Sequence, residues 1–141
     1  MRLLRGTRGR ALGLTALLFA PAPSFGAGPA EGFEAVRGPD GIQRVRVLAG
    51  SYFFRPRQIR VAAHSPVELT VVLEPGLIPH DFVIDAPKAG ISVRETLGDE
   101  PSVIRFMSAV PGIFEFYCSK RFLFFESHED KGMRGVIEVV P

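Results

Sequence analysis

The chain has 141 residues, enough for one domain of ordinary size, with 17 basic and 15 acidic side chains. Four arginines within residues 1–26 produce the basic excess, and the rest of the chain has a net charge of −2. No basic cluster with interleaved aromatic residues follows them, so the sequence excludes nucleic-acid binding as the expected function.

Residues 1–26 have the layout of a secretory signal peptide. A basic start precedes an apolar run over residues 11–20, and Ser24-Phe25-Gly26 supplies small residues for cleavage. The apolar run is only half of the ~20 residues that a membrane-spanning helix needs. We therefore expect a periplasmic or secreted protein, with membrane contact only if this segment stays uncleaved.

Residues 27–41 are rich in Gly, Pro, Ala and Glu, and we predict a flexible leader with no fold of its own. The remaining residues, 42–141, form the predicted domain. This division gives a signal peptide, a leader and one folded unit.

The predicted domain is all-β. Val45 and Val47 alternate with arginines, which is typical of a half-buried strand, and turn residues recur every eight to twelve positions. The pattern predicts a Greek-key antiparallel β-sandwich of seven or eight strands. Residues 91–98 fit either a strand or an irregular crossing, and 120–126 can accommodate a short helix. The clearest predicted strands are 43–48, 52–54, 58–62, 67–73, 80–84, 102–107, 113–118 and 135–140.

Cys118 is the only cysteine, so an internal disulfide is excluded. In an oxidising compartment this thiol must be buried, paired with another chain or held by a metal. Phe114, Phe116 and Cys118 share one face of their predicted strand, and this face belongs to the core. The thiol is thus expected at one end of the sandwich, where the alternative to a ligand is an inert packed cysteine.

Two further candidate ligands follow Cys118 on the same loop. Nine residues separate Cys118 from His128, and four separate His128 from Met133. His80 supplies a second imidazole from a strand-like stretch. A thiolate, two imidazoles and a thioether form a soft, mixed donor set that suits one copper ion cycling between Cu(I) and Cu(II). The alternatives are ordinary structural histidines and a core methionine.

Three further stretches have recognisable motifs: Tyr52-x-Phe54-x-Pro56-x-x-Ile59, Pro111-Gly112-x-Phe114-x-Phe116-x-Cys118 and Gly132-Met133-x-Gly135-x-Ile137-x-Val139. These stretches resemble the cupredoxins, the blue-copper family, and the resemblance covers about residues 42–141. It implies the cupredoxin fold, one copper ion held by His80, Cys118, His128 and a weak axial Met133, and electron transfer outside the cytoplasm.

The loop between Cys118 and His128 departs from the small cupredoxins, which usually have two to four residues there. Copper nitrite reductases have a comparably long loop, but their second copper requires further histidines, and only His64 is left here. The binuclear centre of cytochrome oxidase requires two cysteines. No oxyanion motif accompanies Cys118 and His128 as a nucleophile and base. We therefore expect no enzymatic activity.

Other residues have expected supporting roles. Asp81 and Ser119 each follow a ligand, and a hydrogen bond between them would tie the two ligand-bearing loops together. The aromatic loop, Phe122-Leu123-Phe124-Phe125, either caps the metal or forms an exposed docking patch. We expect part cap and part docking face.

The sequence thus favours an exported electron-transfer protein that exchanges electrons with a redox partner protein. A protein that stores copper or delivers it to an acceptor would use the same ligands, and a metal-free binding module is the third interpretation.

Overall fold

The computed structural model describes residues 32–141; the predicted signal peptide lies outside this range. Within it, no helix is both long enough and apolar enough to cross a membrane. The described residues form ten strands, with one 3-10 turn at Pro87–Ala89 between β6 and β7. The strands are β1 (Gly32–Glu34), β2 (Gln43–Gly50), β3 (Phe53–Arg55), β4 (Gln58–Ala62), β5 (Val67–Leu73), β6 (His80–Ala86), β7 (Ile91–Leu97), β8 (Ser102–Phe106), β9 (Gly112–Tyr117) and β10 (Arg134–Val140).

The strands form two sheets, and the predicted β-sandwich is confirmed. One sheet has the order β1-β4-β10-β9-β6-β7, and the other has the order β3-β2-β5-β8. Alternating apolar side chains from both sheets fill the space between them, as in β2, where every second residue from Gln43 to Val47 is buried.

Three buried phenylalanines connect the sheets below the predicted metal site. Phe54 comes from β3, whereas Phe82 and Phe116 come from β6 and β9 of the other sheet. Their ring centroids lie 5.0–5.4 Å apart. Phe82 is two residues from His80, and Phe116 is two residues from Cys118, so strand alternation places both candidate ligands on the same inner face, above these rings.

The sheets are mixed rather than purely antiparallel. Strands β2 and β5 pair in parallel, as do β4 and β10, and β1 and β4. The chain changes sheets between β3 and β4, which allows strands that are not consecutive to lie side by side in the same direction. The prediction of an antiparallel sandwich is therefore wrong for these three strand pairs. Alternation of side chains does not reveal strand direction.

The prediction of a leader without a fold of its own is wrong for its described part, residues 32–41. β1 pairs with β4 through Gly32 to Glu34, and the backbone N–H of Ala35 donates to the carbonyl of Arg60 at 2.9 Å. A three-residue strand is too short to show a periodic pattern, and β1 gains its hydrogen bonds from the edge of an existing sheet. β1 and the ambiguous β7 together raise the number of strands to ten.

Candidate metal centre

Three of the four predicted ligands meet at one end of the sandwich. His80 is the first residue of β6, Cys118 follows the last residue of β9, and His128 lies in the loop between β9 and β10. All three side chains are buried, with at most 3% exposure. The adjacent strands β6 and β9 and the loop after β9 therefore bring together residues that lie up to 48 positions apart in the sequence.

The donor atoms are close together. The Sγ of Cys118 lies 3.4 Å from Nδ1 of His128 and 3.8 Å from Nδ1 of His80. The two Nδ1 atoms lie 3.2 Å apart. Nitrogen and sulfur atoms bound to one metal ion at about 2.0 Å and 2.3 Å can be separated by such distances. The spacing therefore fits one ion bound by all three groups.

The donor set distinguishes between metals better than the spacing does. Among residues 32–141, no other His, Cys, Asp or Glu joins these three side chains as a possible ligand. A closed four-ligand zinc site of the structural type is therefore not formed by these residue types. Two imidazoles and one thiolate are the strong ligands of blue-copper sites, in which the fourth ligand is weak and distant.

The long loop after Cys118 contains a small hairpin that removes most of its excess length. Arg121 and Ser127 form an antiparallel bridge, and the backbone N–H of His128 donates to the carbonyl of Lys120 at 2.9 Å. Residues 121–127 thus form the hairpin, and His128 returns beside Lys120. The short helix considered for 120–126 does not form, because Leu123 has a left-handed φ of 51° at the hairpin tip.

Backbone hydrogen bonds fix the chain on the other side of His128. The carbonyl of His128 accepts from the N–H of Met133 at 2.9 Å, and the carbonyl of Met133 accepts from the N–H of Cys118 at 3.1 Å. Met133 is fully buried. These bonds link three predicted ligands in one continuous network, while the axial role of the Met133 sulfur stays a prediction.

The hydrogen bond that the sequence predicted between Asp81 and Ser119 is present, and a second one accompanies it. The backbone N–H and the hydroxyl of Ser119 each donate to a different carboxylate oxygen of Asp81 at 2.6 Å. The backbone N–H of Asp81 also donates to the Sγ of Cys118 at 3.4 Å. This Asp81–Ser119 clamp joins the segments that carry His80 and Cys118.

No protein-family model matches the sequence, and no curated protein matches it as a relative. Solved structures do match. The metal-binding domain of the Cu(I)-exporting P-type ATPase CopA from Streptococcus pneumoniae, with Cu(I), is 28% identical, with a TM-score of 0.60; the match covers 81% of this chain and 100% of that domain. A copper-binding protein in its apo form is 21% identical, with a TM-score of 0.59 over 79% of this chain and 99% of its own.

A third match identifies the fold. Reduced auracyanin from Roseiflexus castenholzii is 17% identical, with a TM-score of 0.56 over 70% of this chain and 97% of its own. The chain has a cupredoxin-like fold. At this level of identity the auracyanin match supports the fold alone, whereas the buried donor set is a property of this chain.

Burial sets the charge state of the candidate ligands when no metal is bound. It lowers the pKa of both histidines, helped by the charge of His128 in the case of His80 and by Lys131 in the case of His128. It raises the pKa of the Cys118 thiol to about 11. At neutral pH the imidazoles are thus neutral and available as donors, and a metal ion must displace the thiol proton.

Sequence analysis missed two residues beside His128. The ring of Tyr52 meets the ring of His128 edge-on, with centroids 5.1 Å apart. The Nζ of Lys131 lies 4.4 Å from the centre of the Tyr52 ring. Tyr52 belongs to the turn before β3, so only the folded structure reveals this contact.

The aromatic loop is exposed. Phe122, Leu123, Phe124 and Phe125 are 59%, 69%, 86% and 50% exposed. Phe122 and Phe125 line a cavity of about 290 Å³ that also borders Ile78, Lys131 and His128. The loop therefore presents an apolar surface next to a candidate ligand, while its role in docking stays a prediction.

The raised pKa of Cys118 predicts a specific loss of stability at high pH in the metal-free protein. The folded state holds the thiol proton more tightly than the unfolded state, whose thiol has a pKa near 9. The contribution is complete below pH 9 and disappears as the pH rises towards 11, a loss of about 3 kcal/mol. Urea unfolding at several pH values measures it, with Cys118→Ala as the control for all other titrating groups. An equal pH dependence in both proteins would contradict the prediction.

Proposed function

We propose that this protein is an exported cupredoxin that binds one copper ion through His80, Cys118 and His128 and transfers single electrons. Met133 is the proposed weak axial ligand. The observation that carries the proposal is the buried Cys–His–His group, with donor atoms 3.2–3.8 Å apart. Copper supplies the change between Cu(I) and Cu(II), and the proposal assigns no catalytic step to the protein.

The role of the protein residues is to hold the donors still and keep water away. The Asp81–Ser119 clamp fixes the segments that carry His80 and Cys118, and the bonds from His128 to Lys120 and Met133 fix the third donor. The preferred geometries of Cu(I) and Cu(II) differ, so a rigid site reduces the movement that accompanies electron transfer. The phenylalanine layer below the site lowers the local polarity.

The proposed export rests on the signal-peptide layout of residues 1–26. The structure adds a compatible feature: Cys118 has no exposed surface. A buried thiol is protected from the disulfide exchange that exposed thiols undergo in oxidising compartments. The proposed location is the periplasm or the extracellular medium.

The aromatic loop is the proposed contact surface for a redox partner. Phe122 and Phe125 line a cavity that His128 also borders, so a partner that covers the loop comes close to a ligand of the metal. Burial of exposed apolar side chains favours such contacts.

Copper delivery or storage is the second candidate function. One observation favours it: the solved structure at 28% identity is a domain of a Cu(I)-exporting ATPase. In this case the aromatic loop would contact a copper acceptor, and copper rather than an electron would leave the site. Rapid loss of Cu(I) to a competing chelator, without reversible redox cycling, would support delivery over electron transfer.

Titration with Cu(II) tests the proposed ligands. We expect an intense visible thiolate-to-copper band that saturates at one copper per chain, because the Cys118 thiolate becomes a direct ligand. Cys118→Ser abolishes this band, whereas Met133→Leu retains it and changes the reduction potential. If the band is absent from the wild-type protein, the ligand assignment fails and a metal-free binding module becomes the better interpretation.

Electron self-exchange between the Cu(I) and Cu(II) forms tests the aromatic loop. The double substitution Leu123→Ser and Phe124→Ser should slow self-exchange about tenfold, equivalent to about 1.4 kcal/mol of barrier, by weakening the encounter near His128. The visible spectrum should not change. Ile113→Ser is the matched control, since Ile113 is 70% exposed at the opposite end of β9. Equal slowing by the control would show that the loop has no special role.

A further inference from the structure

Arg94 contacts the Asp81–Ser119 clamp from outside. Its Nη1 donates to the hydroxyl oxygen of Ser119 at 3.1 Å and lies 3.8 Å from a carboxylate oxygen of Asp81. The side chain of Arg94 is 65% exposed, whereas that of Asp81 is 3% exposed. The solvated guanidinium of Arg94, on β7, thus completes a network of three residues in which Asp81 is buried.

Asp81 brings a buried negative charge close to the candidate metal centre. Both of its oxygens accept hydrogen bonds from Ser119, as expected for a carboxylate. Among residues 32–141, Arg94 is its one ion-pair partner. Asp81 is also adjacent to His80, and its backbone N–H donates to the Sγ of Cys118. Its charge therefore acts on the site at short range, where screening by water is weak.

The sheet register explains how Arg94 reaches this position. Arg94 pairs with Val83, whereas Thr96 pairs with Asp81, so Arg94 lies diagonally across the β6–β7 ladder from the carboxylate. Diagonal neighbours in a sheet are within reach of long side chains. The guanidinium has several hydrogen-bond donors in a fixed plane, whereas the ammonium group of a lysine in its place would be a compact point charge.

We propose that Arg94 is a positioning residue of the metal centre: it braces the Asp81–Ser119 clamp and offsets the charge of Asp81, which favours Cu(I) relative to Cu(II). This inference rests on the proposed copper site. Cu(I), the less positive ion, is favoured when there is less uncompensated negative charge near the site. Loss of the Arg94 charge leaves more of the negative charge of Asp81 uncompensated, so it should lower the reduction potential.

The decisive variants are Arg94→Gln, which removes the charge, and Arg94→Lys, which keeps it. Arg105→Gln is the matched control, because Arg105 is 71% exposed and pairs with Glu68 in the other sheet. In copper-loaded protein at low salt, we expect Arg94→Gln to shift the equilibrium towards Cu(II) about two- to fivefold, as for loss of one exposed ion pair. Arg94→Lys should stay close to the wild-type equilibrium, because it keeps the charge.

Salt separates a charge effect from a packing effect. The difference between wild type and Arg94→Gln should shrink at 1 M salt, where the screening length is only about 3 Å. Equal potentials in wild type, Arg94→Gln and the control would overturn the charge role. A change that is the same in both Arg94 variants and independent of salt would also overturn it.

Amide exchange in the metal-free protein tests the bracing role without copper. We expect the backbone N–H of Ser119 to exchange faster in Arg94→Gln than in wild type or Arg105→Gln, because its acceptor on Asp81 is held less firmly. Unchanged exchange would overturn this part of the inference. If wild-type protein binds no copper, the proposed function and the charge role both fail, and the exchange experiment still decides whether Arg94 braces the clamp.

Discussion

The structure depends on keeping one cysteine sulfur and two imidazole nitrogens together in a buried space. Removing polar groups from water is unfavourable unless they find partners, and a thiol whose pKa rises to about 11 shows how strongly this site disfavours an unpaired charge. A metal cation would relieve that constraint by binding the thiolate directly. The surrounding hydrogen bonds hold the donors in place, so the fold and the proposed chemistry both depend on Cys118.

The loop from Cys118 to Met133 both positions His128 and forms an exposed apolar surface. Its hairpin contains residues 121–127, so His128 lies beside Lys120 despite its distance along the sequence. The same hairpin exposes four large apolar side chains, and two of them, Phe122 and Phe125, line a cavity beside that histidine. The extra loop length therefore leaves the three donor atoms close together. It also adds the exposed surface of the aromatic loop, which is consistent with contact between the candidate metal centre and another molecule.

Periodic features were predictable from the sequence. β4 and β5 have their predicted bounds, because regular alternation of β-branched and polar residues marks a half-buried strand. Strand direction was not predictable, because alternation is the same in parallel and antiparallel pairs. β1 was missed because three residues carry no period, and the hairpin was missed because the left-handed φ of Leu123 has no signature in the sequence. The residue types indicated His80, Cys118 and His128, whereas Tyr52 and Arg94 reach the site through tertiary contacts.

We propose that copper binds to the buried Cys–His–His group and changes oxidation state there with little movement. X-ray absorption spectroscopy of the copper-loaded protein, in both oxidation states, tests this proposal most directly. We expect one sulfur at about 2.2 Å and two nitrogens at about 2.0 Å, the same donors in Cu(II) and Cu(I), with bond lengths that change by about 0.1 Å or less. Absence of the sulfur, or loss of a nitrogen on reduction, would contradict it.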